Sequence, residues 1–203
     1  LEPLAAASAP TLREGATVWL LGGTGGLGLA LAEALGAATR GRLVLSSRRA
    51  ALDPDALARL ERTGAEVHLL PLDLADEAAV HAAARVVQEA HGALDLVVHV
   101  AGALDEGRFA SWTPSRLDAV TAAKERGVAA LIDALRARPP GAMLLVSSLT
   151  ARVPSPGQAG YAAANAALAD ARAPFPLRVV ELGPVEGVGM VAGPERAAAL
   201  RAR

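Results

Sequence analysis

A single-domain α/β fold, a doubly wound parallel sheet with helices on both faces, is predicted from three features of the 203-residue sequence. Six short apolar runs alternate with longer alanine-rich stretches of helical period. The runs are almost continuously apolar instead of alternating apolar with polar, as strands buried on both faces require. A glycine-rich string, Gly22-Gly23-Thr24-Gly25-Gly26-Leu27-Gly28, joins the first run to the first alanine-rich stretch.

Taken in order, strands are expected at 17–21, 43–47, 67–70, 94–100, 142–147 and 177–182. Helices are expected at 27–35, 54–63, 77–91, 114–137 and 161–171. Strand and helix in strict alternation imply parallel pairing through right-handed crossovers. The fourth helix is the best marked: Thr113-Pro114 supplies an N-cap and a proline at the first helical position, and Pro139-Pro140 forbids continuation. Residues 1–15 read as an Ala-, Pro- and Ser-containing linker, with the domain proper at 16–190 and a terminal segment at 191–203.

Composition excludes several classes of function. Cysteine is absent, which removes disulfides, thiolate zinc sites and thiol nucleophiles, and no metal site is expected. The 20 basic and 21 acidic residues are interspersed, so neither a nucleic-acid stripe nor a polybasic membrane patch is formed. No apolar run approaches the ~18 residues of a membrane span, and residues 1–10 lack the basic start of a signal peptide. The expectation is a cytoplasmic protein.

The glycine string has a strand before it and a helix after it, the context that turns a weak motif into a dinucleotide-binding one of the Rossmann type. Glycine permits the tight turn, and the helix N-terminus favours the pyrophosphate charge. The expected cradle is Gly22, Thr24, Gly25, Gly26, Leu27 and Gly28. The second strand ends Ser46-Ser47-Arg48-Arg49, with no carboxylate before Asp53. Ser47 and Arg48 therefore suit a ribose 2′-phosphate, which makes NADPH the expected cofactor; a solvated arginine pair is the competing reading. Asp73 and Leu74 follow the third strand near where an adenine would lie, and Ala101 and Gly102 end the fourth at the central crevice.

Four further residues suit carbonyl chemistry. Lys124 shares a helix face with Leu117, Val120, Val128 and Leu131, where a cation is costly unless it is paired, functional or snorkelling to water. Tyr161 is the sole tyrosine, and Asn165 lies one turn later on the same face. Ser148 follows the fifth strand, at the carboxyl edge where such sheets bind ligands. A tyrosine hydroxyl beside a cation can donate a proton, and a serine hydroxyl can hold a carbonyl oxygen.

With these residues in place, the sequence resembles the short-chain dehydrogenase/reductase superfamily, and within it the ketoreductase domains of modular polyketide synthases. The strings that carry the resemblance are the glycine turn, Ser47-Arg48-Arg49, His99-Val100-Ala101-Gly102, Leu104-Asp105-Glu106-Gly107, Ser147-Ser148 and Pro156-Gly157-Gln158-Ala159-Gly160-Tyr161-Ala162-Ala163-Ala164-Asn165. Most short-chain reductases carry Tyr-x-x-x-Lys; this chain has Tyr-x-x-x-Asn, with its lysine on the preceding long helix, as ketoreductases do. The resemblance runs from about 15 to 190. It implies that Tyr161 is the general acid, that Ser148 orients the ketone, and that Lys124 and Asn165 support proton relay. It also implies Gly183 and Pro184 at the cofactor and, as substrate, a β-ketoacyl thioester on an acyl carrier protein.

The resemblance has departures as well. Leu104-Asp105-Glu106 is close to the Leu-Asp-Asp string of the ketoreductases that give the D-configured alcohol, and Val153 stands where the opposite class has tryptophan. Leu104, Asp105, Glu106, Val153 and Pro156 are thus the expected substrate and stereocontrol residues, with a lean to the D-alcohol. The stretch after Asn165 is short for the family, the lid is represented only by 191–203, and the structural half-domain that precedes such ketoreductases is missing. The chain is therefore expected to work beside that half-domain and other domains of a megasynthase. A catalytically silent member of the fold and a free-standing reductase of small carbonyl compounds are the competing readings.

Overall fold

The computed structural model describes residues 12–185. Most of the expected linker, residues 186–190 of the expected domain and the whole 191–203 segment lie outside the described residues. The sheet is parallel throughout, in the order β3-β2-β1-β4-β5-β6. Its strands are β1 (Thr17–Leu21), β2 (Arg42–Ser47), β3 (Glu66–Pro71), β4 (Leu96–His99), β5 (Ala142–Ser148) and β6 (Leu177–Leu182). The helices are α1 (Gly26–Thr39), α2 (Pro54–Glu61), α3 (Glu77–His91), α4 (Pro114–Thr121), α5 (Arg126–Ala134) and α6 (Ala159–Ala166).

Every residue of β1 is buried, because successive side chains serve opposite faces. Val18 and Leu20 join the cluster containing Ala32 of α1 and Leu60 of α2. Trp19 and Leu21 join the cluster of Val80, Val87, Val128 and Leu131 from α3 and α5. Trp19 also donates its indole N–H to Ser46 Oγ at 2.8 Å, so the largest core residue leaves no polar atom unsatisfied. Among the described residues β3 and β6 are the sheet edges, and neither has a fully buried residue, whereas β1 is buried throughout.

Two helices differ from expectation. The stretch 114–137 is broken: α4 ends at Thr121, residues 122–125 form turns, and α5 begins at Arg126. Lys124 N–H bonds to Thr121 O at 3.0 Å and Gly127 N–H to Ala122 O at 2.9 Å, replacing the regular i−4 ladder. The Ala123 carbonyl faces the imidazole Nε2 of buried His99 at 3.1 Å. Gly127 is set so close to Leu74 that a Cβ would lie 2.3 Å from the Leu74 carbonyl oxygen. A buried ring and a backbone approach thus override good helix propensity. Likewise the last helix stops at Ala166 and tightens into a 3₁₀ turn, Ala167–Asp170. Among the described residues no helix is long and apolar enough to cross a membrane, and no metal-ligand cluster occurs.

Candidate active site

Strand order reverses between β1 and β4, so the loops after these strands diverge and open a crevice at the carboxyl edge. A cavity of about 1420 Å³ fills it and runs on past β5 to α6. That is large for one small ligand and fits an extended one with a substrate beside it.

At one end lies the turn from β1 into α1, where Gly22, Thr24, Gly25, Gly26, Leu27 and Gly28 all line the cavity. A Cβ on Gly22 would lie 2.6 Å from the Ala101 nitrogen, and one on Gly28 would lie 2.1 Å from the Gly22 carbonyl oxygen. Gly22 also has φ of +89°, in the region glycine favours. The N-cap of α1 is Gly25, with no side-chain cap and no acidic residue in the first turn. The first N–H groups of α1 have no partner within the helix, and Gly26, Leu27 and Gly28, which carry them, line the cavity, as a phosphate site requires. These observations fit a dinucleotide.

Beyond β2, Thr24 donates to Ser47 Oγ at 2.7 Å, and Ser47 Oγ accepts from the Ala50 N–H at 2.9 Å. Arg48 and Arg49 are exposed, line the cavity and have no partner among the described residues. The Asp53 carboxylate is used as the N-cap of α2, accepting from the Ala56 N–H at 2.8 Å. That leaves two cations and no uncommitted acid at this end. Asp73, Leu74, Ala101, Gly102, Gly183 and Pro184 line the same cavity, and Asp73 Oδ1 accepts from the Ala75 N–H.

At the other end the cavity wall carries Lys124, Ser148, Tyr161 and Asn165. Lys124 comes from the break between α4 and α5; it is 5% exposed and donates from Nζ to the Val146 carbonyl at 2.7 Å. Burial lowers its pKa to about 8, so the side chain stays cationic at neutral pH but holds its proton loosely. His99, fully buried beside this cation, is lowered to about 3 by burial first and Lys124 second, and is therefore neutral. Neutral imidazole with its proton on Nε2 donates to Ala123 O and leaves Nδ1 unpaired.

Ser148 closes β5, and its Oγ accepts from the Thr150 N–H at 3.2 Å, holding the hydroxyl at the strand end. Asn165 is 1% exposed; its Nδ2 donates to the Tyr161 carbonyl at 2.8 Å and its Oδ1 has no partner among the described residues. Ser147 Oγ donates to the Asn165 carbonyl at 3.0 Å, which ties α6, the helix that carries Tyr161, to β5. The arrangement gathers a phenol, a buried cation, a serine hydroxyl and an amide around one cavity.

Among the expected substrate residues, Leu104, Glu106, Val153 and Pro156 line the cavity, whereas Asp105 turns away and pairs with Arg116. Three contributors were not foreseen. Gln158 lines the cavity and donates to Glu106 Oε1 at 2.9 Å; its place three residues before Tyr161 was the available signal. The Val146 carbonyl and the Ala123–His99 contact depend on tertiary geometry and leave no mark in residue type.

The KR domain family model matches residues 16–180. Polyketide synthase GfsB of Streptomyces halstedii is 43% identical over 155 residues, which make up 75% of this chain and 3% of that synthase. Solved A-type ketoreductases from a modular polyketide synthase superpose with a TM-score of 0.86 at 34% identity, over 99% of this chain and 44% of theirs. PlmKR1, the ketoreductase from the first module of phoslactomycin biosynthesis in Streptomyces sp. HK803, gives 0.82 at 30% identity, over 95% and 48%. The chain thus spans about half the length of these ketoreductases and a small fraction of the synthase.

Proposed function

The chain belongs to the KR domain family, and from that premise we propose that it is an NADPH-dependent reductase of β-ketoacyl thioesters. The observation that carries this reading is that one cavity joins the phosphate-binding turn and unpaired Arg48 to Lys124, Ser148, Tyr161 and Asn165. The intact set of four argues against a silent domain. The cofactor, when bound, supplies the hydride that reduces the β-carbon. Gly22 to Gly28 would hold its pyrophosphate, and Arg48 would meet the 2′-phosphate, which a planar guanidinium suits better than a lysine does.

Ser148 orients the ketone through its hydroxyl. Tyr161 donates its phenolic proton to the carbonyl oxygen as the β-carbon is reduced, so the product is the β-hydroxyacyl thioester. Lys124 stabilises the resulting tyrosinate as a cation. Asn165 fixes the helix turn from which Tyr161 projects. The acyl group is presented on an acyl carrier protein, beside the other domains of a multidomain synthase, and the Leu104-Asp105-Glu106 wall favours the D-alcohol.

The test is NADPH oxidation with a diketide N-acetylcysteamine thioester. Formation of the 3-hydroxyacyl product supports the reading. Binding of NADPH without turnover would sink it in favour of a silent domain, and a preference for simple ketones over carrier-bound thioesters would sink the substrate assignment.

A further inference from the structure

On the substrate side of the cavity, one cluster of side chains is tied together more densely than the catalytic residues themselves. Along the segment 104–107 the side chains alternate: Leu104 and Glu106 line the cavity, and Asp105 faces outward. Arg116 of α4 meets Asp105 as a fork, Nε to Oδ2 and Nη2 to Oδ1, both at 2.6 Å. Nη2 also donates to the Glu106 carbonyl at 2.9 Å, and Nη1 to Ser111 Oγ at 3.2 Å. The guanidinium lies over the Trp112 ring, 4.5 Å from its centroid.

Trp112 then reaches the catalytic helix. Its ring occupies the volume a side chain at Gly160 would need, since a Cβ there would lie 2.3 Å from the ring edge. Gly160 immediately precedes Tyr161. The indole Nε1 donates to the Gly107 carbonyl at 3.4 Å, and the Gly107 N–H donates to the Gly157 carbonyl at 2.9 Å. Gln158 bonds to Glu106 across the same seam. The segment 104–107 and the start of α6 are therefore one rigid wall, locked from behind by Arg116 and Trp112.

We propose that Arg116 and Trp112 are specificity-determining positioning residues: by clamping the segment 104–107 to the first turn of the Tyr161 helix, they fix which face of the carbonyl is presented for reduction. The inference rests on the carbonyl-reductase reading above. Neither residue lines the cavity, so both act through Leu104, Glu106 and Gln158. Pairing with Arg116 holds the Asp105 carboxyl below the usual carboxylate range, so the fork persists throughout the neutral pH region.

The test uses the protein as naturally produced, with NADPH and a racemic 2-methyl-3-ketoacyl N-acetylcysteamine thioester, and resolves the hydroxy products by chiral chromatography. Arg116→Gln is expected to lower the ratio of major to minor alcohol configuration at C3 about tenfold, or about 1.4 kcal/mol between competing transition states. The NADPH dissociation constant should stay within about twofold, because no clamp residue touches the cofactor end. Arg116→Lys, which keeps the charge but loses the fork, should fall between, and Trp112→Leu should shift the ratio the same way. If Arg116→Gln does not fold, these two variants decide the matter. An unchanged ratio in the folded variants, whatever their turnover, overturns the clamp while leaving the reductase reading intact. No alcohol from the unaltered protein overturns both.

Discussion

Lys124 donates from Nζ to the carbonyl of Val146 at 2.7 Å, which places a nearly buried cation at the end of β5, two residues before Ser148. The unfolded lysine would titrate near 10.5, and burial lowers the folded value to about 8. Below pH 8 both states are protonated, and the fold bears the whole penalty of burying the charge. Between about 8 and 10.5 the unfolded chain binds more protons than the folded one, so stability rises with pH. Chemical denaturation at pH 7.5 and 10 should show a gain from this group of about 2 kcal/mol, and Lys124→Met should lose that rise. Parallel pH dependence in the two proteins would remove Lys124 from the account.

Tyr161 is the proton donor in the proposed reaction. Tyr161→Phe should lower kcat by about 10²–10⁴-fold, the usual weight of general acid catalysis. NADPH binding should be nearly unchanged, since the phosphate turn and Arg48 lie at the opposite end of the cavity. Single-turnover kinetics with fluorescence titration of NADPH separate the two. Near-normal kcat would move the donor role to another group.

Strand β1 occurs where the apolar run places it, because residues buried on two faces can be little else than apolar. The glycine turn was legible for a related reason: at Gly22 and Gly28 close backbone approach leaves glycine as the one residue that fits. The break in 114–137 was not legible. Its residues are good helix formers, and the interruption comes from His99 and Leu74, far away in sequence. Asp105 was read as a substrate residue from its motif, yet side-chain alternation along an extended segment sends it to Arg116. Spacing told which residues gather at the cavity; it did not tell which way each one faces.

Arg48 has no partner among the described residues and stands at the cavity end where a ribose would lie. Removing a charge-assisted bond to phosphate weakens binding by about 1.5–3 kcal/mol, or about 10–100-fold. Arg48→Ala should therefore raise KM for NADPH by that factor and leave KM for NADH within about twofold, as no 2′-phosphate is present to lose. Equal effects on the two cofactors would return Arg48 to a solvated surface role.

Gly25 and Gly28 belong to the same turn but answer to different constraints, and alanine separates them. At Gly28 the added Cβ would lie 2.1 Å from the Gly22 carbonyl and 2.8 Å from the Gly23 Cα. Both are backbone atoms and cannot swing aside, so Gly28→Ala should destabilise the fold by about 1–3 kcal/mol or more. At Gly25 the nearest atom is the Gly22 carbonyl at 3.5 Å, and φ of −82° suits any residue. Gly25→Ala should thus keep the melting temperature of the unaltered protein. Its methyl group nevertheless enters the space beside the free N–H groups of α1, where the pyrophosphate has to approach the backbone. A loss of NADPH affinity without a loss of stability is the expected signature, read by calorimetric titration beside thermal melts. If Gly25→Ala bound NADPH as well as the unaltered chain, the pyrophosphate would have to sit elsewhere, and the glycine turn would be a packing feature alone.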